Sequence, residues 1–320
     1  MRRLALAGIA LAACLLAPTG SADGYTYPRF QPVSIAFFDQ QHGLVAEDDW
    51  SCQEAHGCQG RILATNDAGT HWQVTYVGAR GFRLFPVRGT STVFGLTGNA
   101  MLQSSDRGLH WKRLTWSPSI VSFVSTTMGW KLGARTKLAH PPALEETEDG
   151  GTTWTARVDP CTGDFGIVAA LSFASASRGW IVCATQASTG FQGKAVWQTY
   201  DAGSKWQLES RIHPIGPPEP KARIGNLPGF GYPTGAVFLA DGHGWLLQAR
   251  GQTLTTTDGG RRWQPLQITK PDTVAGQSTT WLNDKLGFLL LRGCRVQLER
   301  TTDGGGNWTT LTRWNSPTQC

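Results

Sequence analysis

Charge is scarce in this chain. Lysine, arginine, aspartate and glutamate together make up 16% of its 320 residues. So low a share does not suit a disordered tail or a surface-charged helical bundle. No apolar run is long enough to cross a bilayer, the N-terminal one from Leu4 to Ala17 included. There is no Cys-x-x-Cys, and the histidines, His42, His56, His71, His110, His140, His213 and His243, never fall at His-x-x-x-His spacing, so no zinc helix is expected. A Gly-x-Ser-x-Gly elbow is missing too. A net charge of +6 is too small to argue for nucleic acid. On these grounds no catalytic set, metal or cofactor is expected.

What the chain does have is glycine, 39 residues, and tryptophan, 14 residues. Many turns and many aromatics suit an all-β protein of short strands. Length alone would suggest about two domains of ~150 residues, but a closed β architecture absorbs such a length in one unit. The N-terminus has the features of a signal peptide over residues 1–22. Arg2 and Arg3 precede an apolar stretch from Leu4 to Ala17, and Gly20-Ser21-Ala22 offers small residues for cleavage after Ala22. The alternative is the lipoprotein box Leu11-Ala12-Ala13-Cys14, which would make Cys14 a lipid anchor. Either way the expectation is export, to the periplasm or beyond, with residues 23–320 as one domain. An oxidising compartment then suits the six remaining cysteines.

One pattern, Ser/Thr-x-Asp-x-Gly-x-x-Trp, occurs six times. Its aspartate and tryptophan are Asp67 and Trp72, Asp106 and Trp111, Asp149 and Trp154, Asp201 and Trp206, Asp258 and Trp263, and Asp303 and Trp308. Successive aspartates lie 39, 43, 52, 57 and 45 residues apart, a period that fits one four-stranded propeller blade of roughly 40–50 residues. An alternating run broken by Gly plus an aromatic or aliphatic residue precedes most copies, as in Phe123 to Trp130, Leu171 to Trp180, Val237 to Trp245 and Trp281 to Phe288. It predicts two strands, A and B, joined by a tight turn. The copy near Ser91 to Leu96 is degenerate. Within the box, the aspartate accepts hydrogen bonds from the amides that follow it, and the glycine takes a positive φ. The box is therefore a hairpin between strands C and D. Aspartates that recur once per blade stand around a ring and cannot converge on one substrate.

These motifs resemble the Asp-box, or BNR, repeat family. The full pattern is most similar to the branch of photosystem II assembly and stability factors, and more distantly to sortilin-type and sialidase propellers. The resemblance runs from about Val33 to Trp314. It implies an all-β fold: a single β-propeller of four-stranded antiparallel blades, six by box count, with seven as the alternative if Gln207 to Thr234 hides further strands. Tyr25 to Pro32 is expected to pair with the last blade and close the ring. The resemblance also implies a non-catalytic scaffold that holds a membrane-protein partner. The rival is a glycoside hydrolase acting on surface or extracellular glycans, which needs two carboxylates about 5–10 Å apart; Asp48 with Asp164 or Asp272 is the best pair available.

In a propeller, A–B and C–D turns lie on one face, B–C and D–A loops on the other. The boxes mark the first face. The long, irregular loops belong to the second, where binding chemistry usually lives. The same map pairs Cys52 with Cys58, Cys161 with Cys183, and Cys294 with Cys320, all on the loop face. That face also gathers Arg80, Phe82, Arg83, Arg88, Arg135, Lys137, His140, Lys221 and Arg223, with Trp50, Phe191, Phe230 and Tyr232 among them. Singly, each suits an ordinary solvated surface. Together they suggest a docking face for a protein or an anionic polymer.

Overall fold

The computed structural model describes residues 29–52, 57–98, 100–116, 118–133, 144–213, 224–268, 273–293 and 295–315. Within them the chain forms six four-stranded antiparallel sheets, each made of four consecutive strands. Blade 1 holds β1 (Phe30–Phe37), β2 (Gly43–Asp49), β3 (Gln59–Thr65) and β4 (Gln73–Ala79), and blade 2 holds β5 (Arg83–Pro86), β6 (Val93–Thr97), β7 (Ala100–Ser104) and β8 (Lys112–Arg113). Blade 3 holds β9 (Pro118–Phe123), β10 (Gly129–Gly133), β11 (Leu144–Thr147) and β12 (Thr155–Arg157). Blade 4 holds β13 (Ile167–Phe173), β14 (Gly179–Ala184), β15 (Lys194–Thr199) and β16 (Gln207–Ile212). Blade 5 holds β17 (Tyr232–Phe238), β18 (Gly244–Ala249), β19 (Leu254–Thr256) and β20 (Gln264–Pro265). Blade 6 holds β21 (Thr273–Trp281), β22 (Gly287–Gly293), β23 (Arg295–Thr301) and β24 (Thr309–Asn315).

The innermost strands β1, β5, β9, β13, β17 and β21 contact one another in that order, and β21 returns to β1, so the ring is closed. The architecture is a six-bladed β-propeller. Among the described residues, Gln207 to Thr234 supplies only the last strand of blade 4 and the start of β17, not a seventh blade. Of the segment expected to close the ring, Tyr25 to Pro28 lie outside the described residues, and the described part does not join the last blade. Phe30 to Pro32 pair with Asp49 to Glu47 inside blade 1. Blade 6 meets blade 1 through side chains instead. Ser278 Oγ accepts the Ile35 amide at 3.1 Å, and Thr312 Oγ1 donates to the Gly69 carbonyl at 2.7 Å.

Aromatic stacks hold most of the blade junctions. The side chain at the end of strand A packs over the glycine that opens strand B, where a Cβ on Gly43, Gly129, Gly179, Gly244 or Gly287 would collide with that ring. The aromatic residue after Gly129, Gly179, Gly244 and Gly287, and Phe94 after Val93 in blade 2, then stacks on the strand A ring of the next blade. Trp130 meets Phe173 at 3.6 Å, Trp245 meets Trp281 at 3.6 Å, Phe288 meets Phe37 at 3.7 Å, Phe94 meets Phe123 at 4.1 Å and Trp180 meets Phe238 at 4.6 Å. The box tryptophans Trp154, Trp206, Trp263 and Trp308 stand edge-on to the same rings. Offset and edge-to-face pairs each add ~0.5–1.5 kcal/mol beyond burial. The exception is the junction of blades 1 and 2, where Leu44 and Pro86 occupy the corresponding places and β5 is only four residues long. That substitution explains the degenerate second repeat in the sequence.

The box turns also need left-handed backbone at the residue after the aspartate. Gly150, Gly259 and Gly304 supply it, but Ala68, Arg107 and Ala202 adopt the same conformation at φ 61°, 62° and 60°, where a side chain is strained.

Candidate functional site

The two faces of the ring differ in how their polar groups are used. On the box face, the first hydroxyl of each box accepts the amide of the box glycine at 2.8–3.1 Å. It donates to the box aspartate at 2.7–2.9 Å. The other side of the turn closes when that carboxylate accepts the amide of His71, His110, Thr153, Lys205, Arg262 or Asn307 at 2.8–3.0 Å. Each aspartate is thus consumed by its own hairpin. Hydrogen bonds to the charged form pull the pKa of five of them down. The His71 amide leads at Asp67, the Thr153 hydroxyl at Asp149 and the Asn307 amide at Asp303, and each sits at about 2. At Asp106 partial burial opposes the shift, but the His110 amide and ring still bring it to about 2. Asp201 is lowered, chiefly by the Lys205 amide. Among the described residues no cluster of histidine, cysteine, aspartate and glutamate is arranged to hold a metal.

The loop face is stapled and clamped. Cys52 pairs with Cys58 within the loop between β2 and β3, and Cys161 before β13 pairs with Cys183 in β14. Cys294 and Cys320 lie outside the described residues. A clamp that the sequence did not announce joins the loop between β14 and β15 to the loop before β17. Lys194 is fully buried, yet its ammonium meets carbonyls rather than a carboxylate: those of Gln192, Pro228, Gly229 and Phe230, at 2.9–3.2 Å. Burial pushes its pKa down to about 8. Gln192 and Gly231 add backbone hydrogen bonds to Gly229 and Gly190, and the Tyr232 hydroxyl accepts the Gly190 amide at 2.7 Å. The platform so formed presents Phe191 and Phe230 edge to face at 5.7 Å, 48% and 50% exposed. Across the face, the half-buried Arg292 guanidinium lies 3.8 Å from the ring of the exposed Trp50. Arg292 carries no local signal in the sequence, because it reaches Trp50 only when blade 6 returns to blade 1.

The structure redistributes the expected cationic face. Arg80 and Arg83 do lie on it, at the entry to β5. Phe82 does not, being 2% exposed and packed with Ile62 and Leu84 in the interior. Its burial follows from Asp48, whose carboxylate accepts the Gly81 and Phe82 amides at 2.9 and 3.4 Å and turns the chain inward. Arg88 is displaced as well. It follows β5 in an A–B turn, so it belongs to the box-face end, where it reaches across the central channel. Arg135, Lys137, His140, Lys221 and Arg223 lie outside the described residues, as does Asp272 of the hydrolase alternative. The other members of that alternative are already engaged. Burial raises the pKa of Asp48 despite its two amide bonds, and Asp164 sits 3.6 Å from His213.

Six blades in a closed ring, each with an Asp-box hairpin between its third and fourth strands and with irregular, disulfide-stapled loops on the opposite face, define an Asp-box β-propeller. In sequence the chain is similar to the photosystem II assembly lipoprotein Ycf48 of Synechococcus sp. (strain CC9902), 23% identical over 324 residues that span 95% of this chain and 84% of that protein. No protein-family model matches it. Among solved structures it is similar to a GH74 xyloglucanase from Xanthomonas campestris, with a TM-score of 0.53 and 14% identity over 88% of this chain and 47% of the enzyme; that likeness is one of fold. It is also similar to YCF48 bound to D1 peptide, at a TM-score of 0.49 and 16% identity, covering 88% of this chain and 82% of that one. No helix among the described residues is long and apolar enough to cross a membrane.

Proposed function

We propose that this propeller is a non-catalytic scaffold that docks a protein partner on its loop face, in the manner of an assembly factor. The observation that carries the reading is the clamped platform of Phe191 and Phe230. Two large apolar rings are held in solvent by a buried lysine and a lattice of backbone hydrogen bonds. Exposed aromatics on a preorganised support lose little entropy on binding, and aromatics with arginine are the usual anchors of interfaces. Arg80, Arg83 and the Trp50–Arg292 stack extend the same chemistry toward blades 1 and 2. An anionic segment of the partner suits those cations. The relative named as a photosystem II assembly lipoprotein supports a partner that is itself a membrane protein. Export through residues 1–22, or attachment through a lipid on Cys14, would place the propeller beside it.

Affinity capture from the native envelope tests this reading. Wild-type protein should retain a partner that a Phe191→Ala/Phe230→Ala variant releases, while a charge-reversed Arg80/Arg83 variant shows weakened capture that falls further with salt. Equal recovery by all three proteins would discard the loop face as the docking surface.

A further inference from the structure

The central channel is not uniform. Its box-face half encloses a cavity of about 260 Å³ to which all six blades contribute, among them Phe85, Ser122, Ser172, Val237 and Thr279. Its side chains are largely apolar, but with hydroxyls at Ser122, Ser172, Thr279 and Thr280, the Arg88 guanidinium and backbone groups, about half of the surface it presents is polar. Arg88 is the one charged residue in it, and no carboxylate lines it.

Arg88 is unusually placed. It springs from the turn between β5 and β6 in blade 2 and crosses the channel to blades 5 and 6. There Nε donates to the Trp281 carbonyl at 3.2 Å and Nη2 to the Phe238 carbonyl at 3.4 Å. A guanidinium has five N–H donors. These two long bonds leave Nη1, and one hydrogen of Nη2, without a protein partner among the described residues. Asp241 is the carboxylate that Arg88 feels electrostatically, but its ion pair is with His243 at 3.1 Å. A partly buried cation with idle donors and no carboxylate in direct contact is well placed to receive an anion.

We propose that the box-face half of the channel is a binding site for a small organic carboxylate, with Arg88 as its anchor and the apolar blade ends around its body. The chemistry selects the class. A planar guanidinium with free donors matches a carboxylate, and such charge-assisted bonds are stronger than neutral ones. The apolar half of the lining, with Phe37, Phe85, Val121 and Leu171 in it, suits an apolar body. A volume just under the ~300–1,000 Å³ of pockets for drug-sized ligands limits the body to about one substituted ring. The site stands at the opposite end of the ring from the loop face and does not depend on the docking proposal.

Benzoate is a suitable probe, titrated calorimetrically into the full disulfide-bonded protein, with benzyl alcohol and benzylamine as its neutral and cationic counterparts. Saturable binding of benzoate, with both counterparts weaker by about tenfold or more, is the expected result. An Arg88→Met variant should lose that preference, binding benzoate no better than benzyl alcohol. Because Arg88 also ties three blades together, Ala236→Phe provides an independent arm. It narrows the cavity from blade 5 without touching the bonds of Arg88, and it should abolish binding while leaving the melting temperature near wild type. Failure of benzoate to bind the wild-type protein would overturn the site. So would equal binding by benzylamine, or benzoate binding unaffected by either substitution.

Discussion

The box face and the loop face are built from the same strands yet solve opposite problems. On the box face every hairpin repeats one solution, and Asp67, Asp106, Asp149, Asp201 and Asp303 are pulled below the ordinary carboxylate range by donors from their own turns. On the loop face no two connections are alike. Asp48 and Asp159 each serve one loop, and burial raises the pKa of both. The lesson is that a group which recurs in every blade is spent on folding, whereas the groups that occur once are free to differ and to bind.

The sharpest way to break that contrast is to delete one recurring and one singular tryptophan. Trp130→Ala removes a fully buried ring stacked on Phe173 and bonded to the Ala202 carbonyl, and should cost ~3–5 kcal/mol in denaturant unfolding. Trp50→Ala, at a ring 47% exposed, should cost less than about 1 kcal/mol. The disulfides come next. Replacing Cys161 and Cys183, which enclose a separation of 22 residues, should lower stability by about 3 kcal/mol, and replacing Cys52 and Cys58, six apart, by about 2 kcal/mol; equal losses would mean that loop length does not govern the effect.

Acid titration separates the faces by sign. Asp67, Asp106, Asp149 and Asp303, at about 2 folded against an ordinary 3.8, support the fold fully above pH ~4 and lose that support as pH falls toward 2. Asp48 and Asp159, with raised folded values, act the other way, favouring the fold as pH drops through them. An Asp48→Asn/Asp159→Asn variant, fixed in the neutral form, should therefore be more stable than wild type near neutral pH and converge with it as pH falls toward about 3; a difference that stays constant down to acid pH would remove the distinction. The smallest effect expected is on stability in Phe191→Ala, within about 0.5 kcal/mol by thermal melting, even though the same change should release the partner.

The repeating parts were legible because each is local. Eight residues suffice to specify a box hairpin, and six boxes specify the number of blades. The pairs Cys52–Cys58 and Cys161–Cys183 followed from assigning loops to faces. What stayed hidden was non-local. Blade 2 lacks an aromatic plug, so its first strand was blurred. Phe82 looked like an exposed loop aromatic until Asp48, 34 residues earlier, drew its amide in. Arg88 was counted with its neighbours in sequence, although β5 lies between it and Arg83 and carries it to the other end of the ring. The Lys194 clamp needs four carbonyls from two distant loops, which no local pattern describes. The pairing of Phe30 to Pro32 within blade 1 was equally illegible, since β1 has the same alternating pattern whichever sheet it joins.

Half of the box turns have not relaxed. Where three blades place glycine after the aspartate, Ala68, Arg107 and Ala202 hold a left-handed backbone with a side chain attached, each forgoing about 1 kcal/mol. The propeller thus keeps unused thermal headroom on its plain face, and an engineer seeking a hardier ring need only copy what its own third, fifth and sixth blades already do.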